Sequence, residues 1–213
     1  RMANFASFLN ALQIGGAMIY PLIVLAVLAT AIMLDKAYLY SRRSRLPPRI
    51  VDMVETFGFD WRELEQQLAA VDRRNYLRRF IGVIAENRER PAWWVESRAA
   101  DEATYIEKSL GRWLWILETI VTAAPLLGLL GTITGMVRAF SLFGAQGLVD
   151  PGGVTGGVAE ALIATAVGIF VALVALFAFN FFSHRQGQFL DEMERLGTRL
   201  VDHIRLDQEQ VPA

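Results

Sequence analysis

Residues 124–180 read APLLGLLGTITGMVRAFSLFGAQGLVDPGGVTGGVAEALIATAVGIFVALVALFAFN, and this stretch decides the fold. It holds two long apolar segments on either side of a connection rich in turn-forming residues. The first segment places Gly128, Gly131, Thr132 and Gly135 at i, i+3, i+4 and i+7, and Pro125 precedes them. The second places Ala161, Ala164, Thr165, Gly168, Ala172 and Ala175 on one helical stripe. Lipid tails are as apolar as leucine, so helices in a bilayer associate through close backbone approach and interhelical hydrogen bonds, which small faces permit. The pattern predicts two membrane helices packed along Pro125, Gly128, Gly131, Gly135, Ala161, Ala164 and Gly168.

Glu160 stands near the start of the second segment. An ionised carboxylate at the bilayer centre costs about 3 kcal/mol or more unless it faces protein or water. Two readings fit: a cap at the positive end of its helix, or a group turned into a sheltered cavity.

The blocks Pro125-Leu-Leu-Gly-Leu-Leu-Gly-Thr-Ile-Thr-Gly-Met136 and Val158-Ala-Glu-Ala-Leu-Ile-Ala-Thr-Ala-Val-Gly168 together resemble the paired signature of the MotA/TolQ/ExbB proton-channel family, most closely its ExbB branch. The resemblance is strongest over 113–183, weaker over Gly15–Leu22, and close to absent in the loop between. It implies that Thr132 and Thr165 are pore threonines and Glu160 the membrane glutamate. It also implies a pentamer enclosing the single transmembrane helices of two ExbD-like partners, each bringing an aspartate that carries the proton, with the work passed to a TonB-like protein. This chain has no aspartate inside a span. The TolQ branch shares the signature and would energise envelope constriction instead. A MotA-type stator has four spans, and no segment is left here for the fourth.

Composition agrees with a bilayer. The chain is 54% hydrophobic with mean hydropathy +0.33, too apolar for an ordinary soluble domain of 213 residues. It contains no cysteine, which excludes a disulfide framework and a catalytic thiol. No phosphate loop, metal-ligand cluster or nucleophile with a base is present, so an ion-channel or motor subunit without cofactor or metal is expected rather than an enzyme. A formal charge of -1 gives no basic face for nucleic acid.

Charge placement sets the topology. Ile14–Leu34 is uncharged and long enough to span, and its length favours a retained span over a cleaved leader ending near Leu28-Ala-Thr-Ala31. Of 21 Lys and Arg, 15 lie within 35–112, with Arg42, Arg43 and Arg45 directly after the first span and Lys108 and Arg112 directly before the second. The positive-inside rule then puts that loop and the tail in the cytoplasm. Arg138 closes the second span on the outer side, with Asp150 a possible partner. Glu118 marks the inner edge, where Trp113 and Trp115 suit the interface.

Within the loop, Asp60 with Glu63 has capping-box spacing for a helix to about Val71, and Asp72 is a candidate start for another ending before Pro91. Leu77, Phe80, Ile81 and Ile84 form an apolar face opposite Arg73, Arg74, Arg78, Arg79 and Arg88; 13 acidic residues share the segment, so a solvated, ion-paired bundle is expected. A helix from Ala92 is expected to run straight into the second span. Pro21 is expected to kink the first, and Tyr20 to be partly buried. Phe170, Phe177, Phe179, Phe181 and Phe182 are assigned to the outer face of the third span. In the tail, Phe189, Met193, Leu196, Leu200 and Ile204 recur at helical spacing and call for helical partners.

The expected fold is therefore all-α. It comprises a periplasmic N-terminus (1–13), spans at 14–34, 113–138 and 158–183, a helical cytoplasmic domain (35–112), a periplasmic connection (139–157) and a cytoplasmic C-terminal helix (184–213). The expected setting is the bacterial inner membrane. Because one chain is too small to line a pore, a homo-oligomer is expected. From a different class, the small-residue faces also suit a passive oligomeric scaffold.

Overall fold

The computed structural model describes residues 16–42, 47–56, 59–141 and 151–210. Among these are seven helices and no strand: α1 (Ile19–Arg42), α2 (Pro48–Glu55), α3 (Trp61–Ala69), α4 (Tyr76–Glu86), α5 (Ala92–Gly111), α6 (Leu114–Ser141) and α7 (Pro151–Gln210). The expected all-α class holds. Three helical stretches, within Ile19–Ser41, Ala92–Ser141 and Gly152–Glu209, are long and apolar enough to cross a membrane. The chain divides into two compact units, residues 1–33 with 113–181, and residues 34–112 with 182–213.

The first unit is the membrane unit. On α1 it buries Ile19, Leu22, Ala29 and Ile32. Ile19 donates its amide to the carbonyl of Gly16 at 3.2 Å, and Gly16 holds φ +67, which costs glycine little. Pro21 falls in the first turn, where an N–H has no intrahelical acceptor to lose, so the sequence forces no kink there. Tyr20 is 71% exposed on the single chain, contrary to the expected partial burial. α6 buries Leu114, Leu117, Ile120, Ala124, Gly128, Gly131, Gly135 and Ala139, a spacing of three and four residues. Facing it, α7 buries Gly157, Ala161, Ala164, Gly168, Ala172 and Ala175. Leu126, Leu129, Ile133, Val137, Phe170 and Phe177 point away from this seam and are exposed.

α7 is already helical at Pro151, ahead of the start expected for its span, and α6 continues to Ser141. The middle of the expected connection (142–150), the N-terminal stretch with Ile14, and Arg43 and Arg45 lie outside the described residues.

The second unit is a helical bundle with its own core. Ile50, Val54, Leu64, Leu68, Leu77, Phe80, Ile81, Ile84, Val95, Ile106 and Leu110 pack with Phe189, Met193, Leu196, Leu200 and Ile204. The tail's apolar stripe thus finds its helical partners within the chain. Each fully buried aliphatic side chain contributes about 1.5–3 kcal/mol by leaving water. The arginines opposite this core serve the bundle surface: Arg79 pairs with Glu102 at 2.7 Å, Arg88 pairs with Glu65, and Arg78 donates to the Val71 carbonyl at 2.5 Å. Phe182, assigned above to the outer face, is instead buried and stacks on Tyr40 with ring centroids 5.9 Å apart.

Helix boundaries follow local side-chain chemistry. Asp60 caps α3 as expected, accepting from the Arg62 amide at 2.9 Å. Asp72 does not start the next helix. Its carboxylate accepts from the Arg74 amide in a turn, and Asn75, accepting from the Arg78 amide at 3.1 Å, caps α4. The expected run of α5 straight into the second span also fails. Arg112 is extended (φ -52, ψ 131) and Trp113 sits at φ 69, left-handed and uncommon for a bulky residue. The reason lies in Lys36, whose fully buried amine donates to the Leu110 carbonyl at 2.5 Å. In an unbroken helix that carbonyl would accept from the amide of residue 114.

Candidate ion-pathway site

Within the membrane unit, α6 and α7 run antiparallel with almost no side chain between them. A Cβ on Gly128 would lie 3.0 Å from Thr165 Cα, one on Gly131 2.5 Å from Ala164 Cβ, and one on Gly135 2.9 Å from Ala161 Cβ. At Gly168 the added atom would lie 2.6 Å from the Ala124 carbonyl oxygen. The seam is therefore closed at backbone distance, the approach that small residues exist to allow. Pro125 is half-buried next to Ala124 on the same helix.

Contact at this distance brings polar backbone within reach of a short side chain. Thr165, half-buried, donates its hydroxyl to the Gly128 carbonyl at 2.9 Å. Gly128 leaves room for that bond because it carries no side chain. Thr132, also half-buried, donates to the Leu129 carbonyl of its own helix at 2.6 Å. A hydroxyl has two acceptor lone pairs besides its hydrogen, so both threonines can still accept a proton donor.

Glu160 is held apart from these two. Both of its carboxylate oxygens accept from Arg138 Nη1, at 2.8 and 3.0 Å, and its side chain is only 18% exposed against 56% for the arginine. Gly16 backs the same carboxylate: a Cβ there would overlap Oε1. Three segments thus meet at one acid, namely the residues just ahead of α1, the end of α6 and the third turn of α7. Arg138, expected to face Asp150, faces Glu160; Asp150 itself lies outside the described residues.

The three residues singled out from the sequence are therefore each partnered separately, Thr132 within α6, Thr165 across to α6, and Glu160 to Arg138. Two members were missed, Arg138 as the counter-charge and Gly16 as the wall. A signal for the first existed. In an antiparallel pair joined by a short connection, partner numbers run in opposite directions, and 128 with 165, 131 with 164 and 135 with 161 lead on to 138 with 160. Glu118 is exposed on the single chain. Among the described residues no group of histidine, aspartate and glutamate could hold a metal ion.

Comparison with known proteins finds relatives along most of the chain. The profile of the MotA/TolQ/ExbB proton channel family matches residues 69–195. A putative biopolymer transport protein ExbB-like 1 from Synechocystis is 31% identical over 192 residues, covering 87% of this chain and 74% of the relative. The ExbB-like 3 protein of the same organism is 33% identical over 173 residues, 79% of this chain and 81% of its own length. The biopolymer transport protein ExbB of Xanthomonas campestris is 52% identical over a shorter stretch of 68 residues, 32% of this chain and 27% of that protein.

Proposed function

This chain belongs to the MotA/TolQ/ExbB proton channel family, and as such a multi-pass membrane protein we propose that it is an ExbB-like ring subunit of a motor driven by the proton-motive force in the bacterial inner membrane. Several copies, five in this reading, arrange α6 and α7 around a shared axis and enclose the helices of a single-span, ExbD-like partner. That partner's intramembrane aspartate takes up and releases the proton, and a TonB-like protein receives the work. The loop domain and the C-terminal part of α7 lie in the cytoplasm, and the connection between the second and third spans, residues 139–157 in the sequence reading, faces the periplasm.

The observation that carries this reading is a carboxylate, Glu160, sheltered to 18% exposure near the start of a membrane-length apolar stretch, with half-buried Thr132 and Thr165 further along the same two helices. A group so placed is expensive to keep and marks function by default. Thr132 and Thr165 would accept from the partner carboxyl when it is protonated, and by turning their hydroxyl hydrogens away from the Leu129 and Gly128 carbonyls would donate to it when ionised. The membrane potential supplies about 2.3 kcal/mol per elementary charge per 100 mV, enough for single protons to bias a step of the enclosed helices.

Thr132→Ala, Thr165→Ala and Glu160→Ala should each abolish energy-coupled uptake while the oligomer persists. Retained uptake would overturn the site assignment. A second reading, a passive scaffold, draws on the Thr165–Gly128 bond, since such a bond serves helix packing by itself. Proton flux measured with and without the partner separates the two.

A further inference from the structure

We infer that Arg138 is what makes Glu160 necessary: the two form a charge-compensated gate at the connection end of the α6–α7 hairpin, in which the carboxylate cancels a guanidinium that would otherwise bar cations. The inference rests on the pathway reading above and goes beyond it, because it assigns the acid's task to a residue of the same chain rather than to the proton-carrying partner.

Charge is scarce here. Residues 119–137 and 161–183 carry none, so Arg138 and Glu160 are the charges bounding this end of the helix pair. Glu160 has little freedom. Gly16 lies against Oε1 on one side, and both oxygens converge on Nη1 of Arg138 on the other. Arg138 is different. Only one of its nitrogens is engaged by the acid, and its side chain is 56% exposed, so the guanidinium presents charge outward from the chain.

Position then matters. Thr165 lies five residues further along α7 and Thr132 six residues back along α6, about 7.5 and 9 Å from the gate at 1.5 Å per residue. An ion moving from the connection end towards either threonine passes the level of the pair first. A fixed guanidinium lining a narrow polar path excludes protons and other cations electrostatically, and an adjacent carboxylate removes most of that field. Loss of Glu160 alone leaves an uncancelled positive charge. Loss of both leaves neither barrier nor counter-charge.

The test uses the assembly isolated from its native membrane with the subunits that co-purify, reconstituted into vesicles with an imposed pH gradient and a trapped pH-sensitive dye. Glu160→Gln should lower proton flux about tenfold or more through the exposed guanidinium. Adding Arg138→Gln should restore flux to within about threefold of wild type, because the barrier goes with the charge. The exchange Arg138→Glu with Glu160→Arg should also conduct. Assembly size in detergent, recorded for every variant, identifies any that fails to assemble, and the exchange pair then decides the matter. A conducting wild type with a silent Glu160→Gln and no rescue by either double variant overturns the gate and leaves the pathway assignment standing. Undiminished flux in Glu160→Gln removes the acid's role and the gate with it. A wild-type assembly without flux overturns the channel reading itself.

Discussion

The Thr165 hydroxyl reaches across from α7 to the carbonyl oxygen of Gly128 on α6 at 2.9 Å, a bond available only because the receiving residue has no side chain. Interhelical bonds of this kind average about 0.6 kcal/mol in membranes and reach about 1.7. Thr165→Val keeps the volume and loses the donor, so it should destabilise the detergent-solubilised protein by an amount in that range. Thr165→Ser should restore both the stability and, if the residue lies on the ion path, the flux. Denaturant titration of the three proteins reads the first effect, and vesicle flux the second.

Glycine replacements should sort by what the new methyl group meets. At Gly168 it would lie 2.6 Å from the Ala124 carbonyl oxygen and 3.0 Å from Gly128 Cα, both backbone atoms that cannot swing aside. Gly168→Ala should therefore cost about 1–3 kcal/mol, as overpacking does. Gly156 on the same helix has nothing within 4 Å. Gly156→Ala should be neutral or stabilising by up to about 1 kcal/mol, since alanine is the better helix former. Thermal melts of the two variants side by side test the contrast.

Gly16→Ala carries a double penalty. The backbone there is left-handed at φ +67, which costs an L side chain about 1–2 kcal/mol, and the added Cβ would occupy the place of the Glu160 oxygen. The carboxylate must then leave Arg138 or α1 must move. The expected outcome is a loss of proton flux resembling that of Glu160→Gln, with the oligomer intact by size-exclusion chromatography.

Lys36 makes a third site of strong dependence. Its side chain is fully buried and its amine donates to the Leu110 carbonyl at 2.5 Å. Lys36→Ala should cost about 2–5 kcal/mol, from the cavity and the carbonyl left without a donor. Lys36→Met keeps most of the volume and should cost clearly less. Thermal unfolding checks the order.

Much of this architecture was legible because helical periodicity and hydropathy are local signals. The stripe Leu77, Phe80, Ile81 and Ile84 and the stripe Phe189 to Ile204 both lie in the bundle core, where their spacing put them. What escaped depends on contacts distant in sequence. Nothing near Arg112 or Trp113 forecasts a break in the helix; the cause is an amine on α1, 74 residues away from its acceptor. Asp72 and Asn75 are both good caps, and only the packing of the following turn chooses between them. The Arg138–Glu160 pair needed the hairpin register, which becomes readable once the glycine and alanine partners are known.

That pair also bears on how many copies a ring can hold. Like charges gathered around one axis repel, and the repulsion grows with every protomer added. A protomer that brings an acid and its own base contributes no net charge at that level. Electrostatics would then place no ceiling on ring size, and the number of subunits would be fixed by the shapes of the apolar flanks alone.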